Sequence, residues 1–219
     1  MIPLRDDNPG RTTPWATWTL VLACVAVFLG ELAGLDPVPW ALVPSEAWTF
    51  GALSTWPTHM FLHAGAGHLI GNMLFLLIFG NNVEDRMGHW RFLAFYGVSG
   101  VLAALAHIVL ESSSEIPMVG ASGAISGVLG AYLAMFPNVR VRALIAGWIP
   151  ATLPAWAMLL GWFAWQFLAV PMTRIDSPAD AGGGVAYAAH VGGFLAGLVL
   201  HRAFLAPAGW VRPRGGTSR

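Results

Sequence analysis

The sequence predicts an all-α polytopic membrane protein, one bundle of six transmembrane helices. Three observations carry that class. Hydrophobic residues make up 56% of the 219 positions and charged residues only 10%, against about 25% in a soluble domain. Six apolar runs approach the roughly 20 residues that a spanning helix needs. Ten of the eleven basic residues, all of them arginine, fall on one side of those runs. So few polar groups cannot cover a soluble surface. That excludes a soluble enzyme and a disordered linker, and a net charge of zero excludes a nucleic-acid module, which needs a basic excess. The lone Cys24 cannot form an intramolecular disulfide and does not report a redox compartment.

The first run, Ala16 to Gly34, follows Arg5 and Arg11. It is longer than the usual signal-peptide core, so a span is favoured over a cleaved leader. A long loop follows, Leu35 to Gly67, carrying Trp40, Trp48 and Trp56 and no arginine. Tryptophan at that density suits a segment lying in the headgroup layer; an ordinary apolar loop packed on the bundle is the alternative. The second run, His68 to Asn82, is short and extends to Val83 or begins in the preceding loop. Trp90 to Leu110 is the third and Met118 to Phe136 the fourth. The fifth, Leu144 to Val170, contains Pro150 and Pro154, so it is kinked or starts late. Gly182-Gly183-Gly184 leads into the sixth, Val185 to Leu205.

With the N-terminus inside, the inner segments hold Arg5, Arg11, Arg86, Arg91, Arg140, Arg142, Arg202, Arg212, Arg214 and Arg219, and the outer loops hold only Arg174. Most acids lie outside. This bias predicts N-in, C-in topology with an even span count. It divides the chain into a cytoplasmic tail (1–15), a six-helix membrane domain (16–206) and a second cytoplasmic tail (207–219).

Polar groups inside spans are costly and default to functional hypotheses. Here they are His63, His68 and Asn72 near the second span, Ser122 and Ser126 in the fourth, and His190 in the sixth. Spans two, four and six all run inward, and each group lies near its span's start. Ser122 and His190 fall roughly 6–8 Å below the outer boundary at 1.5 Å per residue, so these groups share one depth. The run Gly120-Ala121-Ser122-Gly123 places Ser122 in a first helical turn, where an unpaired backbone N–H and the helix dipole suit an oxyanion. The same small residues also suit plain helix packing. Gly193-xxx-Gly197 lets the His190 helix approach another closely; if that partner is the fourth span, the imidazole can serve Ser122 as general base. A structural histidine is the alternative. His68 and Asn72, at i,i+4, share a face and can both donate to an oxyanion. A metal site from His59, His63 and His68 is disfavoured. There is no H-E-x-x-H motif and no cysteine partner, and His63 and His68 are five residues apart, on different faces. No cofactor is expected.

These residues resemble the rhomboid family of intramembrane serine proteases. The resemblance rests on Phe61-Leu62-His63-Ala64, His68-xxx-Asn72, Val83-Glu84-Asp85-Arg86-Met87-Gly88, Gly120-Ala121-Ser122-Gly123 and Ala189-His190-Val191-Gly192-Gly193, in order across Thr55 to Gly197. It implies a rhomboid-like six-helix bundle around a cavity open to the outside, with Ser122 as nucleophile and His190 as base. It also implies oxyanion contacts from the Ser122 N–H, His68 and Asn72, and a polar supporting role for His63. The Trp-rich loop resembles the family's membrane-embedded loop and the fifth span its substrate-facing helix. Glu84 and Arg86 resemble its polar closure at the inner end. With no acid near His190 within its span, a dyad rather than a triad is expected. Two positions depart from the pattern. Trp56-Pro57 stands where many members carry Trp-Arg. Ser126 stands where some carry a tyrosine stacked on the base.

The resulting expectation is a serine endopeptidase cleaving transmembrane protein substrates near their outer end, in a bacterial inner membrane. Its partners would be those substrates and the bilayer, with no nucleic acid; the oligomeric state is open. The rivals are a proteolytically inactive, client-binding relative and a small transporter or channel. The first would lack the serine or the histidine, and the second would string its polar groups along a path.

Overall fold

Long apolar runs fold as helices because a buried or lipid-facing backbone must satisfy its own hydrogen bonds. The computed structural model describes residues 1–169 and 186–207. Val170, Arg174, Asp176, Asp180, Gly182 to Gly184, Val185, Arg212, Arg214 and Arg219 lie outside the described residues. The order is β1 (Ile2–Asp6), α1 (Trp15–Leu32), a loop holding the one-turn α2 (Thr55–Thr58), α3 (Ala66–Met87), α4 (His89–Leu110), α5 (Ser122–Met135), β2 (Arg140–Ile145), β3 (Ile149–Pro154), α6 (Ala155–Ala169) and α7 (Tyr187–Phe204). Three of these, α1, α3 and α4, are long and apolar enough to cross a membrane; α5 and α6 are shorter apolar helices. The helices turn Leu22, Leu29, Ile70, Leu168 and Val199 outward, the surface of an integral membrane protein.

Local chemistry sets the helix ends. α1 closes in a Schellman motif: Gly34 takes φ +104°, and the Gly34 and Leu35 N–H groups donate to the Glu31 and Gly30 carbonyls. Only glycine enters that conformation without strain. Gly88, at φ +77°, makes the corner between α3 and α4. Within α3, Leu76–Gly80 forms a π turn.

Several expectations need correction. The fold is mostly helical rather than all-α, because a three-stranded antiparallel sheet, ordered β1-β2-β3, joins the N-terminal segment to a hairpin. That hairpin occupies residues 140–154, so the fifth helix begins at Ala155 and not at Leu144. The apolar run there is a strand pair whose turn, Ala146-Gly147, sits at positive φ. Pro154 ends β3, a position where its missing N–H costs no ladder bond. The fourth helix starts at Ser122 rather than Met118, because Met118 exchanges two backbone hydrogen bonds with Leu42. The second is longer than its apolar run and includes Glu84 and Asp85.

The centre of the bundle is α5, buried without interruption from Ala124 to Leu133. It is apolar around its whole circumference, as a core helix must be. Glycines set how closely its neighbours approach. A Cβ on Gly193 would lie 2.1 Å from the Gly123 carbonyl oxygen, one on Gly197 1.9 Å from that of Gly127, and one on Gly130 2.1 Å from that of Phe194. So α5 and α7 touch backbone to backbone. The dipeptides around Ser122 and His190 lie on the two sides of that seam.

Two buried acids, Glu84 and Asp85, and the half-buried Asp6 fasten the end opposite Ser122. Glu84 accepts hydrogen bonds from the Ala16 N–H (3.0 Å), the Thr17 N–H (2.8 Å), the Thr17 hydroxyl (2.7 Å) and His89 Nδ1 (2.5 Å). It is therefore the missing N-cap of α1, supplied from α3. Asp85 accepts from the Arg11 and Thr12 N–H groups and the Thr12 hydroxyl. Asp6 accepts from the Tyr132 hydroxyl (2.5 Å) and Asn82 Nδ2 (2.9 Å). Arg86 does not pair with Glu84; its guanidinium lies 6.0 Å from the Phe136 ring centroid.

Candidate active site

At the other end of α5, Ser122 is the first helical residue, so its backbone N–H has no intrahelical acceptor. His190 is the fourth residue of α7. Their side chains meet, with Ser122 Oγ 2.8 Å from His190 Nε2. The opposite ring nitrogen, Nδ1, lies 2.7 Å from Gln166 Oε1 on α6. Since a side-chain carbonyl can only accept, Nδ1 carries the proton. Nε2 then holds a lone pair, and the Ser122 hydroxyl donates to it. His190 and Gln166 are both buried.

Two aromatic rings confine the imidazole. Trp162 lies 5.9 Å away with its plane tilted by 33°, and Tyr187 presents an edge at 6.3 Å and 89°. Ser126 points away from the imidazole, its hydroxyl donating to the Ser122 carbonyl at 2.6 Å.

His68 and Asn72 stand over the chain just before the serine. A Cβ on Gly120 would sit 2.7 Å from His68 Cε1, 2.9 Å from His68 Nε2 and 3.8 Å from Asn72 Nδ2. Gly120 itself adopts φ +123°, open to glycine and strained for other residues. The Asn72 amide nitrogen is buried and has no hydrogen-bond partner. A buried donor left open needs an explanation, and a transient negative charge at this point is one. His63 packs edge-on against His68 at 5.3 Å. Its Nδ1 donates to the Phe61 carbonyl and its backbone N–H to Glu31. Burial, and then the adjacent His68 ring, push the His63 imidazole down to about 4, so it is neutral at neutral pH.

The site therefore gathers Ser122, His190, His68, Asn72 and His63 at one end of the bundle. His59 is turned aside, its Nδ1 donating to the Thr55 carbonyl at 2.9 Å. Among the described residues no group of three or more His, Cys, Asp or Glu side chains could hold a metal ion. The Trp-rich loop is secured without any arginine of its own. Trp56 donates its indole N–H to the Ala47 carbonyl, and the backbone pairs Leu42 with Met118, Ser45 with Ser114 and Gly120 with His59.

Sequence reasoning missed Gln166 and Trp162. The sequence carries a signal for their inward placement, though not for their partner. Ala155, Met158, Leu159, Trp162 and Gln166 fall at helical spacing on one face of α6, and Gln166 is the amide on an otherwise apolar, inward stripe.

The chain is similar to several known proteins. A rhomboid-domain family model matches residues 48–207. RHOMBOID-like protein 5 of Arabidopsis thaliana is 32% identical over 143 residues, 64% of this chain and 40% of that protein. Rhomboid protein 1, mitochondrial, of Saccharomyces cerevisiae is 29% identical over 143 residues, 64% of this chain and 38% of the relative. Rhomboid protease AarA of Providencia stuartii is 26% identical over 211 residues, 86% of this chain and 72% of the relative. The chain thus spans about two fifths of the length of the plant and yeast proteins.

Proposed function

This chain belongs to the rhomboid family, and from that premise we propose that it is an intramembrane serine endopeptidase working through Ser122 and His190. The observation that carries the reading is the 2.8 Å contact between Ser122 Oγ and His190 Nε2, with the second ring nitrogen occupied. Ser122 Oγ attacks the scissile carbonyl as His190 Nε2 takes its proton. A C–O bond forms and the carbonyl oxygen becomes an oxyanion. The Ser122 N–H, His68 and the unpartnered Asn72 amide hold that charge, the kind of preorganised donor set that dominates such catalysis. Collapse breaks the C–N bond as His190 protonates the leaving amine. Water, deprotonated by the same imidazole, then releases the acyl group. His63 supports His68.

We further propose six spans, with residues 16–206 as the membrane domain, residues 1–15 and 207–219 as inner tails, and both termini inside. The β1–β2 pairing supports this, since it holds the N-terminal segment at the end of α5 away from Ser122. The arginines at positions 5, 140 and 142 share that sheet. Cleavage then falls near the outer face, and the substrates are transmembrane segments that unwind locally to expose a peptide bond.

A serine-directed fluorophosphonate probe tests the reading. Wild type should label, while Ser122→Ala and His190→Ala should not. The same variants should fail to cut a single-span substrate in liposomes. Equal labelling of wild type and Ser122→Ala would end the protease assignment. A client-binding relative would neither label nor cut.

A further inference from the structure

Gln166 lies outside the pair that does the chemistry, yet it touches one member of it. The imidazole of His190 can place its proton on either nitrogen. Only the Nδ1–H form offers a lone pair to the Ser122 hydroxyl; the Nε2–H form would donate to Ser122 and could not act as its base. The two neighbours of the ring lie on opposite nitrogens, Gln166 Oε1 at 2.7 Å and Ser122 Oγ at 2.8 Å. A serine hydroxyl both donates and accepts, so Ser122 tolerates either tautomer and selects neither. Selection has to come from the other side, where the carbonyl oxygen accepts only.

Resting on the protease reading above, we infer that Gln166 is a positioning residue whose side-chain carbonyl fixes His190 in the Nδ1–H tautomer required of the base. Its setting supports this. The side chain is buried, so water does not compete for Nδ1. Trp162, one turn earlier on α6, lies over the same ring, so one helix face holds both the plane and the proton of the imidazole. The amide gives direction without charge. A carboxylate here would be a buried ion, costly to desolvate while the imidazole is neutral.

The experiment reads the tautomer directly. The full chain, labelled with ¹⁵N-histidine in detergent micelles, gives ring-nitrogen resonances, with His190 assigned by its absence in His190→Ala. In wild type His190 should show a protonated Nδ1 and an unprotonated Nε2. Gln166→Leu, similar in volume but without an acceptor, should move the proton toward Nε2 and lower kcat about 100-fold with KM within about twofold. Gln166→Glu, whose buried carboxyl stays neutral and keeps a carbonyl acceptor, should retain the wild-type tautomer and most of the activity that Gln166→Leu loses. A wild-type His190 protonated on Nε2 overturns the inference without any variant. So does a Gln166→Leu protein with unchanged tautomer and unchanged kcat. A Gln166-dependent tautomer in a wild type whose Ser122 takes no probe would overturn the protease reading and uphold the control of the tautomer.

Discussion

Gly193→Ala is the sharpest test of how the fold makes the site. The added Cβ would lie 2.1 Å from the Gly123 carbonyl oxygen, where a carbon–oxygen contact needs about 3.4 Å. The α5–α7 seam must therefore open by roughly 1.3 Å at that point. Gly123 adjoins Ser122, and Gly193 is one turn from His190, so the wedge falls beside both reacting groups. A rigid displacement would stretch the 2.8 Å contact to roughly 4 Å, beyond hydrogen-bond reach. Misplacement on that scale costs about 100-fold in rate, and the overpacking costs about 1–3 kcal/mol in stability. Both are measurable in detergent, as the rate of serine-probe labelling and as a thermal unfolding midpoint. Gly97→Ala is the control, because nothing lies within 4 Å of its Cβ and alanine favours a helix. If Gly193→Ala labels at the wild-type rate, or Gly97→Ala loses as much, backbone contact does not set the geometry of the pair.

Gly120→Ala should abolish labelling, because its Cβ would meet the His68 ring at 2.7 Å while the backbone holds an unfavourable φ; unfolding with a near-wild-type midpoint would locate the loss in the site. Glu84→Gln replaces an acceptor of four hydrogen bonds with a group that turns an NH₂ toward donors, and should cost about 2–4 kcal/mol in thermal unfolding while leaving probe reactivity at 25 °C intact. His59 gives a pH signature. Burial pushes its imidazole from 6.5 down to about 4, so the unfolded chain binds the proton first. Its contribution is whole above pH 6.5 and falls away as the pH drops toward 4, by roughly 3 kcal/mol. Unfolding midpoints at pH 7.5 and 4.5 should converge in His59→Gln relative to wild type.

Most helix positions were legible because an apolar stretch of spanning length has few alternatives. The ends of α1, α4 and α7 fall within about two residues of where composition changes, the tolerance with which helix ends are assigned at all. The hairpin at 140–154 was not legible in that way. Leu144 to Ile149 is apolar enough to read as the start of a span, and only Pro150 and Pro154 spoke against it. What makes it a hairpin is a partner more than a hundred residues away, since β1 supplies the outer strand. Ser122 and His190 could be paired on paper because glycines flank both, and mutual close approach requires glycine on both helices. Gln166 could not, because one amide in an apolar stretch has many uses, and only the position of α6 against α7 shows which nitrogen it meets. The ring over the base was hidden for the same reason, because Trp162 comes from a separate helix.

The small sheet also fixes an order of events in time. Asp6 sits in register with Val141, so about 135 residues of synthesis separate the two strands. At 5–20 residues per second the first strand waits roughly 7–27 s for its partner. In the finished protein the same end is tied by the Asp6 carboxylate, which Asn82 and Tyr132 share. The end of the bundle opposite Ser122 therefore waits for β2, and α5 and α7 cannot meet until later still. Serine and histidine come together in a molecule whose opposite end has only just been tied.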